Sequence, residues 1–160
     1  MFPKHPRLQR RQYLGRQRYL LTFCCNYRHA YFVDAELVRE VCDQILRTAA
    51  RERVAVVAYC FMPDHVHLAV EGTDDATDLT RFVKLAKQHT GYTFKQQHGV
   101  PLWQPGWYDR IIRPSDDFVS VVRYLLDNPV RAGLAPRADA YPYSGSATMP
   151  LETLLGSAGL

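Results

Sequence analysis

The stretch "VAVVAYCFMPDHVHLAV", residues 54–70, decides the fold. Its first half is a β-branched apolar run, and its second half alternates. Val66, Leu68 and Val70 fall on one face of a strand, while His65, His67 and Ala69 fall on the other. Between the halves, "MPD" supplies a proline and an aspartate suited to a tight turn. The two runs are expected to pair as a hairpin whose apolar face meets the core. Its other face carries two imidazoles with Cα atoms roughly 6 to 7 Å apart, a spacing that lets both reach one metal ion. A lone His-x-His more often decorates a solvent-facing strand, and two ligands hold a cation weakly. A third ligand and a reacting group have to come from elsewhere in the chain.

Upstream, "RYLLTFCC" (18–25) has the composition of a first strand. Asp34 then stands as an N-cap before a helix in which Leu37, Val38, Val41, Ile45, Leu46 and Ala49 recur at helical spacing. Downstream, Asp78 opens a second helix with Leu79, Phe82, Val83 and Ala86 on one side and Arg81, Lys84, Lys87 and Gln88 on the other. In "LWQPGWYDRIIR" (102–113), Trp103 and Trp107 flank a Pro-Gly turn that leads into a fourth strand. Ser115, Asp116 and Asp117 start a last helix, expected from about 116 to 127 and ended by the effect of Pro129 on Asn128. The order strand, helix, strand, strand, helix, strand, helix predicts an α+β protein. It matches a ferredoxin-like βαββαβ antiparallel sheet, also the scaffold of RNA-recognition domains, with helices on one face and an added C-terminal helix.

A chain of 160 residues suits a single domain. Residues 1–17 are expected to form a basic N-terminal arm and 146–160 a loosely attached tail. No apolar stretch approaches the ~20 residues of a membrane helix, and the start lacks the apolar block of a signal peptide, so the expected location is cytoplasmic, associated with the nucleoid. Cys24, Cys25, Cys42 and Cys60 show no CxxC spacing and are read as reduced packing residues. Positive charge is concentrated in Lys4, Arg7, Arg10, Arg11, Arg16 and Arg18, a stretch without Asp or Glu, as in arms that seek phosphates.

On a helical wheel of the last helix, Phe118, Val121, Val122 and Leu125 form an apolar stripe, and Asp117, Tyr124 and Asn128 form a polar one. Tyr124 and Asn128 are neighbours at i and i+4. The amide oxygen of Asn128 is a reasonable third ligand beside His65 and His67, and Tyr124 would hold a phenol near the same ion. Taken singly, Tyr124 reads more often as a half-buried aromatic and Asn128 as a cap before proline. Their joint spacing favours a site.

These segments together resemble a known family. "MPDHVHLAV" resembles the HUH motif of single-tyrosine transposases, "YLLDNPVRAGL" the segment carrying their nucleophile, "WQPGWYDRIIR" their WQ…D…IR block, and "RYLLTF" their first strand. The likeness spans about residues 16–145, and within the family the pattern is most like the REP-associated tyrosine transposases. One departure is Arg110, where many relatives carry a histidine.

The resemblance implies a catalytic Tyr124 and a divalent metal, Mg²⁺ or Mn²⁺, on His65, His67 and Asn128. It implies a single-stranded DNA endonuclease and strand transferase that acts on hairpins of REP-like palindromes through a 5′-phosphotyrosine link, as monomer or homodimer. Arg10, Arg11, Arg16, Lys84 and Lys87 are the phosphate candidates. Trp103, Trp107 and Tyr108 either stack on bases or belong to the core, and Arg131 either meets substrate or compensates its helix end. Two other readings stay open: a single-stranded nucleic-acid-binding module without chemistry, and a structural zinc held by the histidines with Cys60.

Overall fold

A computed structural model describes residues 8–156. The elements are β1 (Arg18–Cys24), α1 (Ala35–Arg51), β2 (Val54–Met62), β3 (His65–Gly72), α2 (Leu79–His98), β4 (Tyr108–Ile112), α3 (Phe118–Leu126), α4 (Asn128–Arg131), β5 (Ser144–Gly145) and α5 (Leu151–Gly156). The sheet runs β4-β1-β3-β2-β5 with every pairing antiparallel. Its first four strands have the ferredoxin-like arrangement expected from the sequence.

The hairpin forms as its alternation requires. Met62 faces His65, Cys60 faces His67 and Tyr59 faces Leu68, with a register shift between Val56 and Ala58. Each long helix starts on an aspartate: Asp34 accepts from the backbone N–H of Glu36 at 2.9 Å, and Asp78 from that of Arg81 at 3.2 Å. The helix α2 ends where Gly99 adopts φ 73°, a left-handed turn that glycine enters without steric cost. For α3 the cap is Asp117, whose carboxylate accepts from the Ser120 N–H at 3.3 Å, so the helix begins two residues later than the charge pattern indicated.

The two faces of the sheet carry different loads. Tyr19, Leu21, Phe23, Val66, Leu68 and Val70 join Val38 and Ile45 of α1 and Phe82, Val83 and Ala86 of α2 in one apolar core. Ala58, Cys60, Met62 and Ala69 point the other way and meet Val122, Leu125 and Leu126 of α3 with Tyr141. The added helix thus covers the face opposite α1 and α2, over the surface that holds the histidines.

Both chain ends differ from expectation. The tail is docked through residue 156: the Ala147 N–H donates to the Val56 carbonyl at 3.1 Å, and Leu151, Leu154 and Leu155 of α5 pack on the second core. Three leucines at helical spacing bury an apolar stripe, which outweighs the loop-like composition before them. In the arm, Leu8 and Tyr13 pack into the first core, whereas Lys4 and Arg7 lie outside the described residues. Among the described residues, no helix is long and apolar enough to cross a membrane, and the four cysteines are buried free thiols.

Candidate metal centre and nucleophile

Cross-strand register sets the site. Thr22, His67 and Cys60 lie in one row across β1, β3 and β2, and Cys24, His65 and Met62 in the next. The two imidazoles stand nearly perpendicular, at 83°, with their Nε2 atoms 3.0 Å apart. Two nitrogens each about 2.1 Å from one cation and at right angles to one another would be about 3.0 Å apart, so the pair fits a shared divalent ion. Each Nδ1 is held from behind: His65 by the Asp64 carboxylate at 2.6 Å and His67 by the Thr22 hydroxyl at 2.9 Å. Partners of this kind fix ring orientation at metal sites.

Burial holds His67 in its neutral form, with its pKa pushed down to about 3; the neighbouring His65 and the charges of Arg131 and Arg28 act in the same direction. The pKa of His65 is also lowered by burial, against the pull of Asp64. For Asp64, burial works upward, but hydrogen bonds from His65 and Arg28 and their charges outweigh it and keep the carboxyl ionised. Neutral imidazoles with Nε2 lone pairs are the form a cation requires.

Sequence reasoning missed three supporting residues, Thr22, Asp64 and Arg28. Arg28 donates from Nε to Asp64 at 2.9 Å and from a terminal nitrogen to the Cys24 sulfur at 3.1 Å. It sits in a turn where Tyr27 and Arg28 both take left-handed conformations, φ 51° and 56°, which costs about 1 to 3 kcal/mol per residue. The turn is held by hydrogen bonds from Cys25 to Asp64, Asn26 to Leu102 and Phe32 to Pro63. The only prior signal was an acid directly before the histidine pair; nothing in the sequence marks Arg28.

On the opposing helices, the half-buried expectation for Tyr124 fails. Its side chain is exposed, at 64%, with the Arg131 guanidinium 3.8 Å above the ring. Arg131 also donates to the Tyr124 carbonyl at 3.0 Å. Asn128 begins α4, where Pro129 has no N–H to offer the Leu125 carbonyl four residues back. The Asn128 side-chain nitrogen donates there instead, at 2.9 Å, so the cap reading is correct as far as it goes. With the nitrogen so placed, the oxygen is the amide atom turned away from that carbonyl. Because α4 packs on β2, the charge of Arg131 is felt at both Cys60 and His67.

The zinc reading loses its third ligand. Cys60 is fully buried, and burial pushes its thiol up to about 11. Among the described residues, no group of three or more His, Cys, Asp or Glu side chains is arranged to hold a metal.

The DNA-binding candidates divide. Arg10, Lys84 and Trp107 line a cleft of about 640 Å³ together with Tyr13, Arg81 and Gln88; it lies on the α2 side of the sheet, away from the histidines. Arg11 is exposed on a 3-10 turn, Arg10–Tyr13, that precedes β1. Arg16 pairs with Asp75 at 3.3 Å and donates to the Thr73 carbonyl. Lys87 is committed to structure, donating to the carbonyls of Gln104 and Gly106. Trp103 is a core residue, 8% exposed, with its indole N–H on the Thr90 hydroxyl at 2.8 Å, so its ring is not available to a base. Trp107 is half-buried and donates to Asp109 at 2.8 Å. The departure at Arg110 leaves an exposed side chain 3.9 Å from Asp116.

Residues 14–125 match the family described as "Transposase IS200 like", and the chain belongs to that family. Within it, the chain is similar to the REP-associated tyrosine transposases. One such protein, from Escherichia coli K12, is 31% identical over 93 residues, covering 54% of this chain and 51% of its own. A Haemophilus influenzae relative whose name places it in the same class is 26% identical over 99 residues, covering 55% and 56%. The chain thus spans about half the length of the curated relatives it matches. A solved REP-associated tyrosine transposase bound to a REP hairpin superposes with a TM-score of 0.69 over 88% of this chain and 82% of its own, at 19% identity. At that identity the likeness establishes the shared fold.

Proposed function

We propose that this transposase-family chain is a metal-dependent single-stranded DNA endonuclease and strand transferase that acts on hairpin-bearing DNA through a 5′-phosphotyrosine link. The observation that carries the proposal is the convergence of His65 and His67 on one point with both Nδ1 atoms tied back. His65, His67 and the amide oxygen of Asn128 would hold Mg²⁺ or Mn²⁺. When bound, that ion polarises the scissile phosphate and offsets charge gained during attack.

The remaining work falls to the chain itself. The Tyr124 oxygen forms a bond to phosphorus as the bond to the 3′-oxygen breaks; the phenol gives up its proton and the leaving oxygen gains one. Because the tyrosyl phosphodiester keeps the energy of the bond it replaces, a 3′-hydroxyl from another strand reverses the step and joins DNA. Arg131, stacked on the Tyr124 ring, restrains the nucleophile and places positive charge beside it. The matched hairpin-bound structure supports a REP-like hairpin as the substrate class, with Arg10, Arg11, Lys84 and Trp107 as contacts for its more distant part.

The test is incubation with hairpin oligonucleotides carrying single-stranded flanks, with Mg²⁺ or Mn²⁺, followed by denaturing electrophoresis. A covalent protein–DNA adduct that is lost with EDTA is expected. Hairpin binding without any adduct under all metal conditions would leave a binding module instead.

A further inference from the structure

We propose that Tyr27 is a stacking platform for one base of the single strand that flanks the reacting phosphate, held outward beside the histidine pair by a strained turn. This inference rests on the reading that single-stranded DNA passes the His65–His67 site; it depends neither on the metal nor on the covalent step.

The backbone of the turn poses the question. Among the described residues, three non-glycine residues take positive φ, and two of them, Tyr27 at 51° and Arg28 at 56°, are adjacent here. A glycine or an asparagine at 27 would enter the left-handed region at lower cost, so the turn itself gives no reason for a tyrosine. Burial gives none either, because the side chain is 85% exposed. Arg28, by contrast, is accounted for by its bond to the Asp64 carboxylate at 2.9 Å.

A lone exposed aromatic is ordinary on a protein surface. This one is exposed yet anchored. Tyr27 meets His29 at 6.3 Å between ring centroids, His29 meets Tyr31 at 5.4 Å, and Tyr31 meets Phe94 of α2 at 4.9 Å. Phe94 is a buried member of the first core. The relay of rings ties Tyr27 to that core and restrains its direction before any ligand arrives.

The turn is also fixed relative to the site. Two residues before Tyr27, the Cys25 N–H donates to the Asp64 carbonyl at 2.9 Å; one residue after it, Arg28 reaches the Asp64 side chain. Asp64 directly precedes His65. The ring therefore stands at the edge of the site, next to positive charge. Single strands are held by this combination, a basic surface with aromatic side chains on which bases stack. The bases of a duplex are already stacked on one another, so the group this ring fits is an unpaired base beside a phosphate at the histidines.

Fluorescence anisotropy in EDTA tests the contact, with a hairpin oligonucleotide carrying single-stranded flanks and the same hairpin without them. Tyr27→Gly keeps the left-handed turn and is expected to raise Tm by about 2 to 4 °C. The same variant should weaken binding of the flanked oligonucleotide about 5- to 100-fold, whereas Tyr27→Phe, with the ring kept, should bind within about twofold of wild type. Neither should alter binding of the bare hairpin. An abasic nucleotide moved along the flank should find one position where its loss matches that of Tyr27→Gly and the two losses do not add. Additive losses at every position, an equal loss with the bare hairpin, or unchanged affinity in Tyr27→Gly would overturn the platform. A lower Tm in Tyr27→Gly would mark the ring as part of the fold and overturn the argument from strain. A wild-type protein that forms no adduct with Mg²⁺ or Mn²⁺, yet shows the single non-additive position, would lose the proposed chemistry and keep the platform.

Discussion

One face of the sheet is filled and the other is furnished. Under α1 and α2, nearly every inward residue is aliphatic or aromatic, and the chain gains stability by removing that surface from water. Under α3 the apolar contacts shrink to Ala58, Cys60, Met62 and Ala69 against three helix residues, and the two rows that contain Cys60 and Met62 also hold Thr22, His67 and His65. The difference shows how a small α+β domain separates tasks: a single strand, β3, presents valine and leucine to the first face and histidine to the second, so one backbone position fixes both.

If that division is correct, substitutions on the two faces should fail in different ways. The largest effect is expected from Tyr124→Phe, which should abolish the covalent adduct entirely while changing unfolding free energy by less than about 0.5 kcal/mol, since the side chain is exposed. An adduct formed equally by the mutant would break the assignment. On the filled face, Phe82→Ala should cost about 3 to 5 kcal/mol in urea denaturation by leaving a cavity in a fully buried site, and should reduce activity only through loss of folded protein.

The furnished face should respond to acid. The His67 pKa is pushed below its ordinary value, to about 3, so between pH 6.5 and 3 the unfolded chain takes up a proton that the folded chain refuses. Stability in EDTA should therefore be unaffected by this group above pH 6.5 and decline below it. A thermal-melt series should show that decline flattened in His67→Gln. The smallest effect is expected at Lys84, far from the chemistry: Lys84→Ala should lower the slope of log affinity against log salt by about 0.7 to 1 and weaken hairpin binding uniformly across sequences. A changed sequence preference would instead place Lys84 against bases.

The filled face was largely legible. Strand alternation at 66–70, the heptad-like run of Leu37, Val41 and Ile45, and the caps Asp34 and Asp78 carry their meaning locally, through periods and through backbone donors that need a partner. That α3 crosses to the other face was implicit in "VAVVAYCFM", since an unbroken apolar strand is one buried on both sides. That His65 and His67 share the second face could be read from the alternation as well, whereas the exposure of Tyr124 could not. Arg28 and Thr22 could not, because their roles exist only after β1, a strained turn and the β2–β3 turn are brought together. Lys87 and Arg16 show the reverse failure. Both are basic residues at apparently exposed positions, yet one is consumed by loop carbonyls and the other by an acid pair and a carbonyl.

Pro129 has a further chemical consequence. It withholds an N–H from the Leu125 carbonyl, and the Asn128 side chain donates in its place. Aspartate, a stronger partner for a hard cation, would oppose its own negative charge to that carbonyl. The helix junction therefore favours a neutral amide at position 128, whose nitrogen closes the gap in the backbone ladder that the proline opens.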